Sequence, residues 1–207
     1  MKEIGLYFGS FNPIHIGHLM LINYAVEHFN LDELHIIVSP QNPFKEQKNL
    51  LDVKDRIEMC KIATNENKKI VINDIETHLP IPSYTTDTLR ELEKTFENSN
   101  FHIIMGVDNF ISLHSWKNVE NVLKHHLIVF PRVNNDEAVN LSLLFSNALK
   151  TLENGFGEVK ATYVENAVIN NLSSTFIREE IANGKSISYY VTDGVEKFIN
   201  DNNFYKN

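Results

Sequence analysis

Short apolar runs alternate with amphipathic stretches along most of the chain. Ile4-Gly5-Leu6-Tyr7-Phe8, Leu34-His35-Ile36-Ile37-Val38-Ser39-Pro40, Ile70-Val71-Ile72-Asn73-Asp74-Ile75, Phe101-His102-Ile103-Ile104-Met105-Gly106 and His125-His126-Leu127-Ile128-Val129-Phe130-Pro131-Arg132 read as strands. Tyr163-Val164 resumes another. Continuous apolar runs of this length belong to strands buried on both faces, the habit of parallel sheets. Between them, Leu19, Leu21, Ile22, Ala25 and Val26 recur at helical spacing. So do Val53, Arg56-Ile57, Met59-Cys60 and Ile62-Ala63, behind the N-cap Asp52. Ser83 to Leu89 leads into a helix through Leu92 and Phe96, and Val195, Phe198 and Ile199 predict a closing helix. From Val133 to Gly157 the pattern weakens; Ala138 to Leu152 reads as helical and the remainder as a surface insertion. The expected fold class is α/β: a doubly wound, mostly parallel sheet of about five or six strands. No repeat or linker divides the chain, so residues 1–207 are expected to form one domain.

Composition narrows the function classes. A net charge of −8 and the lack of any Lys/Arg run argue against a nucleic-acid partner. A small phosphorylated substrate needs only a few local cations, which the acidic balance leaves available. One cysteine excludes an internal disulfide and fits a reducing compartment. No apolar run approaches a membrane span, and Met1-Lys2-Glu3-Ile4 enters a strand at once without a signal-peptide pattern. The expectation is a cytoplasmic protein with no membrane partner.

Candidate chemistry begins at the first strand-to-helix turn, Phe8-Gly9-Ser10-Phe11-Asn12-Pro13-Ile14-His15-Ile16-Gly17-His18. Gly9 removes a Cβ where the backbone would approach a ligand, and Asn12-Pro13 ends the strand. His15 and His18, three apart at a helix opening, share a side with the first-turn amides, an arrangement suited to phosphate. The same spacing is also found in surface pairs and in zinc pairs. Zinc would need a third ligand, and no HExxH motif occurs. Lys45 and Arg132 fall just past strand ends, where open α/β sheets bind ligands. Asp108, after Gly106, is placed to accept hydrogen bonds from ribose hydroxyls. Trp116 is either packing or a flat face for a ring. Ser173, Ser174 and Thr175 open a helix with Arg178 one turn inward, a second anion cradle.

Taken together, these elements resemble the HxGH nucleotidyltransferase superfamily and, within it, the nicotinate mononucleotide adenylyltransferases. The resemblance spans most of the chain: the HxGH stretch, Pro43-Phe44-Lys45, Ser83-Tyr84-Thr85, Gly106-Val107-Asp108, Trp116 with Glu120, and Ser173-Ser174-Thr175-Phe176-Ile177-Arg178, in that order. It departs from the family in two places. The usual Gly-Gly-Thr-Phe-Asp-Pro is Phe8-Gly9-Ser10-Phe11-Asn12-Pro13 here, and Pro-Pro-His-Lys is Asn42-Pro43-Phe44-Lys45.

The resemblance implies a Rossmann-like nucleotidyltransferase fold and transfer of the adenylyl group of ATP to nicotinate mononucleotide. Mg2+ would arrive with ATP. By the same resemblance His15, His18, Lys45 and Arg178 are the catalytic set, with His18 nearest the α-phosphate and Lys45 and Arg178 on the β/γ end. Gly9, Ser10, Phe11, Ser173, Ser174 and Thr175 would line the ATP site, and Gly106 and Asp108 would hold its ribose. Asn12, Lys45, Thr85, Trp116 and Arg132 would serve the mononucleotide. The alternatives are a related acceptor (nicotinamide mononucleotide or pantetheine phosphate) or a nucleotide-binding regulator without turnover.

Overall fold

The computed structural model describes residues 1–40, 50–131, 140–167 and 172–206. Among these residues six strands, β1 (Lys2–Gly9), β2 (Glu33–Val38), β3 (Ile70–Asn73), β4 (Ser99–Gly106), β5 (His126–Phe130) and β6 (Ala161–Tyr163), form one sheet in the order β3-β2-β1-β4-β5-β6. All neighbours are parallel. Among the described residues eight α-helices accompany them: α1 (Ile16–His28), α2 (Val53–Thr64), α3 (Thr85–Thr95), α4 (Val107–Ser112), α5 (Val119–Leu123), α6 (Leu141–Phe156), α7 (Ser174–Ala182) and α8 (Asp193–Asp201).

The period of two along each strand divides the core. Tyr7, Ile36, Val38, Ile104, Ile128 and Phe130 face one side, where residues of α1, α2, α7 and α8 join them. Ile4, Leu6, Ile37, Ile103, Met105, Leu127 and Val129 face the other, against α3, α4, α5 and α6. Both faces are therefore covered, which accounts for the unbroken apolar runs.

Several boundaries differ from the sequence-based expectation, each for a local reason. β3 stops at Asn73, two residues early, because its side-chain oxygen accepts from Ile75 N–H (2.9 Å) and turns the chain into a 3-10 turn at Ile75–His78. The helix expected over Ala138 to Leu152 is α6, the crossover between β5 and β6, which spans Leu141–Phe156 and so runs four residues further. Asn140 caps it by accepting from Leu143 N–H at 3.0 Å, and Phe145 and Leu152 bury it against the second core. Gly157, at φ 87°, ends it.

The connectivity positions the site. From β1 the chain works outward to β2 and β3, then returns to β4 on the other side of β1. Such a reversal leaves a crevice at the carboxyl ends of the two central strands. The β1–α1 and β4–α4 connections border that crevice.

Candidate active site

His15 stands at the N-cap of α1 in an extended conformation (φ −146°, ψ 170°), and His18 is the third residue of the helix. The His15 amide donates to His18 Nδ1 at 3.3 Å, and the two residues close a capping box. Their rings stack, 3.7 Å between centroids, with Phe11 edge-on to His18 at 5.1 Å. Because Nδ1 of His18 is the acceptor in that bond, a neutral ring carries its proton on Nε2. The cap thus selects the tautomer that presents an N–H donor beside the amides of the first turn.

Phe11 occupies the left-handed region (φ 46°) and is fully buried. A Cβ on Gly9 would lie 2.8 Å from its ring. The packing of Phe11, which in turn steadies His18, is therefore sufficient reason for glycine at this position. Phe11 can serve nucleotide binding through its backbone and through His18, since its ring faces the core.

The other cradle meets this one. Ser173 caps α7 by accepting from Phe176 N–H at 3.2 Å. Ser174 donates its hydroxyl to Pro13 O (2.8 Å), and Arg178 donates to Asn12 O (2.8 Å) and to Thr175 Oγ1 (3.2 Å). Two helix N-termini are in this way brought side by side, and the carbonyls of Asn12 and Pro13 are held by protein donors. Arg178 spends two of its five N–H groups on these bonds, leaving three for an anion. Ile16 N–H donates to Tyr190 O (2.9 Å), a further tie to the segment after α7.

Asn12 is itself buried, its side-chain oxygen accepting from Tyr205 Oη (2.8 Å) and Leu51 N–H (3.3 Å). Its side chain braces the loop, whatever its role toward the mononucleotide. Tyr205 carries no sequence signal for this role. Its bond closes across 193 positions, and burial pushes its phenol well above the usual range.

Gly106 ends β4 and caps α4, placing Asp108 in that helix's first turn at the crevice. Thr85 is the first residue of α3, with Tyr84 as its cap. Trp116 sits half-buried between the 3-10 turn Leu113–Ser115 and α5, packing on the second core. Asn121 donates to Thr86 Oγ1 (3.1 Å), and Lys117 lies 4.2 Å above the Tyr84 ring. The start of α3 is thereby joined to the segment that carries Trp116. Beneath it is a group that sequence reasoning missed. The buried carboxylate of Glu76 accepts from Ser83 Oγ and Thr88 Oγ1, both at 2.8 Å. It consumes the two hydroxyls flanking Tyr84-Thr85 and fixes where that turn begins. Lys45, Arg132 and the departures at Asn42 and Phe44 lie outside the described residues.

Among the described residues no three His, Cys, Asp or Glu side chains converge to hold a metal. Nor is any described helix long and apolar enough to cross a membrane.

A parallel sheet reversing at its first strand, with a histidine-bearing helix start and a Ser/Thr/Arg helix start meeting over the reversal, defines a nucleotidyltransferase. The cytidylyltransferase-like family model matches residues 6–180. A Flavobacterium psychrophilum protein described as a "probable nicotinate-nucleotide adenylyltransferase" is 42% identical, covering 99% of each chain. One of the same description from Christiangramia forsetii is 38% identical, again over 99% of each. Among solved structures, Plasmodium falciparum nicotinic acid mononucleotide adenylyltransferase complexed with NaAD superposes with a TM-score of 0.78. It has 22% identity and covers 99% of this chain and 98% of its own. The chain belongs to the nicotinate-nucleotide adenylyltransferase family.

Proposed function

We infer that this protein transfers the adenylyl group of ATP to nicotinate mononucleotide, giving deamido-NAD and pyrophosphate. The observation that carries the reading is the junction of the α1 and α7 N-termini around His15, His18 and Arg178. The names of the full-length relatives, and the NaAD bound in the Plasmodium structure, support the acceptor.

A phosphate oxygen of the mononucleotide attacks the α-phosphorus, a new P–O bond forms, and the bond to the β-phosphate oxygen breaks as pyrophosphate leaves. The nucleophile is already an anion, so no general base is needed, and catalysis rests on positioning and charge stabilisation. His18 offers Nε2–H toward the α-phosphate, while Arg178 and the α7 amides face the leaving pyrophosphate. Lys45 is assigned to the same end by family resemblance, and Arg132 to the mononucleotide phosphate. The residues fit a Mg2+ ion that comes with ATP, since the phosphate oxygens supply the hard ligands that the described residues do not gather. Bound there, it would neutralise charge on the phosphates. On the acceptor side, donors at the start of α3 and the indole face of Trp116 suit a carboxylated aromatic ring.

The test is pyrophosphate release from MgATP on adding each candidate acceptor separately. Release with nicotinate mononucleotide is expected. Release only with pantetheine phosphate, or with no acceptor offered, would overturn the assignment.

A further inference from the structure

Arg56 is among the most deeply buried side chains in the protein, 1% exposed, yet no carboxylate lies within ion-pair distance of it among the described residues. A buried, unpaired cation is a poor way to stabilise a core; an apolar side chain of that size commonly does better. Burial accordingly pulls the guanidinium's pKa below its ordinary value. What the group does is tie backbone together. Nε donates to Leu51 O (2.9 Å), one terminal nitrogen to both Ser10 O (2.7 Å) and Ser39 O (2.8 Å), and the other to Pro40 O (3.1 Å). Four of its five N–H groups go to carbonyls of three separate segments.

Those segments are the β1–α1 loop at Ser10, the two residues that follow β2 and the approach to α2 at Leu51. They are also braced to each other, Ser39 N–H to Gly9 O (2.9 Å) and Leu51 N–H to Asn12 Oδ1 (3.3 Å). Arg56 is the centre of that brace. It holds the Ser10 carbonyl away from any anion in the crevice, as Arg178 and Ser174 hold those of Asn12 and Pro13. Its positive charge sits directly behind the loop, where a polyphosphate would offset it.

We propose that Arg56 is a positioning residue of adenylyl transfer, setting the β1–α1 loop against Ser39-Pro40 and Leu51 so that His15 and His18 meet the phosphates in register. The proposal rests on the functional reading above. It requires the guanidinium's geometry, beyond its charge and volume, since an ammonium cannot span carbonyls on three segments.

The test compares Arg56→Lys, which keeps the charge, with Arg56→Met, which keeps most of the volume. Both should fold with lowered Tm. In Arg56→Lys, kcat per folded enzyme at saturating substrates should fall at least ~30-fold, because small misplacements at a site cost that much. Its Kd for MgATP by calorimetry should stay within about threefold, while Arg56→Met should weaken it further. Amide hydrogen exchange, which needs no turnover, should quicken at Ser10–Asn12 and at Ser39 and leave the rest of the sheet unchanged. A folded Arg56→Lys variant with kcat within about threefold of the parent would overturn the proposal. So would exchange quickened evenly across the sheet, or failure of both variants to fold, since either assigns Arg56 to the fold alone. A parent without turnover would sink the functional reading, and the exchange pattern would still decide the brace.

Discussion

His18 carries two separable duties, and three substitutions at this position should pull them apart. Its Nδ1 accepts from the His15 amide at 3.3 Å, and the mechanism proposed above assigns its Nε2–H to the α-phosphate. Asparagine places an oxygen near the Nδ1 position, so His18→Asn keeps the cap and loses the donor. Glutamine reaches further and returns an amide N–H near the Nε2 position. Alanine loses both groups, and all three substitutions lose the ring packed against His15 and Phe11. A lost cap costs about 1 kcal/mol, which in a chain this size lowers Tm by roughly 2–4 °C. Loss of one preorganised transition-state donor costs about 3–4 kcal/mol, or ~100- to 1,000-fold in kcat. Hence His18→Asn should lose at least ~100-fold in kcat with a smaller fall in Tm than His18→Ala, and His18→Gln should recover part of the lost kcat. His18→Ala should match the kcat loss of His18→Asn and melt several degrees lower. The assay is coupled pyrophosphate release at saturating substrates beside calorimetric melting. If kcat follows Tm across the three variants, or if His18→Asn turns over near the parent rate, the donor assignment is refuted.

Tyr205→Phe removes the hydroxyl that donates to Asn12 Oδ1. The loss of about 1 kcal/mol should lower Tm by roughly 2–4 °C and cut kcat a few-fold, and an unchanged kcat would free the loop from this strap. Glu76→Ala strands the buried hydroxyls of Ser83 and Thr88, of which only Thr88 keeps a second acceptor, Tyr84 O at 3.3 Å. It should destabilise by about 2–4 kcal/mol and raise KM for the acceptor more than KM for ATP; equal rises would separate the α3 turn from the acceptor site. Burial holds His35, His125 and His126 below the ordinary 6.5. Below that value the unfolded chain takes up protons that the folded state refuses, so stability rises with pH through the window. Tm should therefore fall as pH is lowered from about 7.5 to about 5.5, and a flat or rising Tm would contradict the assignment.

The strands were legible because a parallel strand covered on both faces leaves an unbroken apolar run, as at Ile36-Ile37-Val38 and Leu127-Ile128-Val129. Both helix starts of the site were legible for a related reason: capping residues and anion donors are contiguous in sequence, as at Ser173 to Thr175. What joins them was not. Arg56 reads as one more polar position on an amphipathic helix, and its partner Ser10 O lies 46 residues away. Backbone carbonyls leave no sequence signature, so a guanidinium bound only to carbonyls is silent in the pattern. Glu76 is silent for another reason: a lone carboxylate next to a turn looks solvated until Ser83 and Thr88 close over it. Gly9 was legible as a residue but not in its cause, since the ring that fills its space belongs to Phe11, two positions on, in an unusual backbone conformation.

The proposed activity implies that the site adenylates nicotinate mononucleotide in preference to its amide. The two acceptors differ only in a carboxylate against a carboxamide. The proposed acceptor pocket draws its donors from Thr85 and the first-turn amides of α3, since the hydroxyls of Ser83 and Thr88 are committed to Glu76; such donors would suit the acid and would face the amide's NH2 with further donors. One unmet pair costs roughly 1–3 kcal/mol, about ten- to a hundred-fold in kcat/KM. The direct measurement is kcat/KM for nicotinate and nicotinamide mononucleotides with MgATP on the same enzyme preparation. A ratio of at least ~10 in favour of the acid is predicted; equal values, or a preference for the amide, would contradict it.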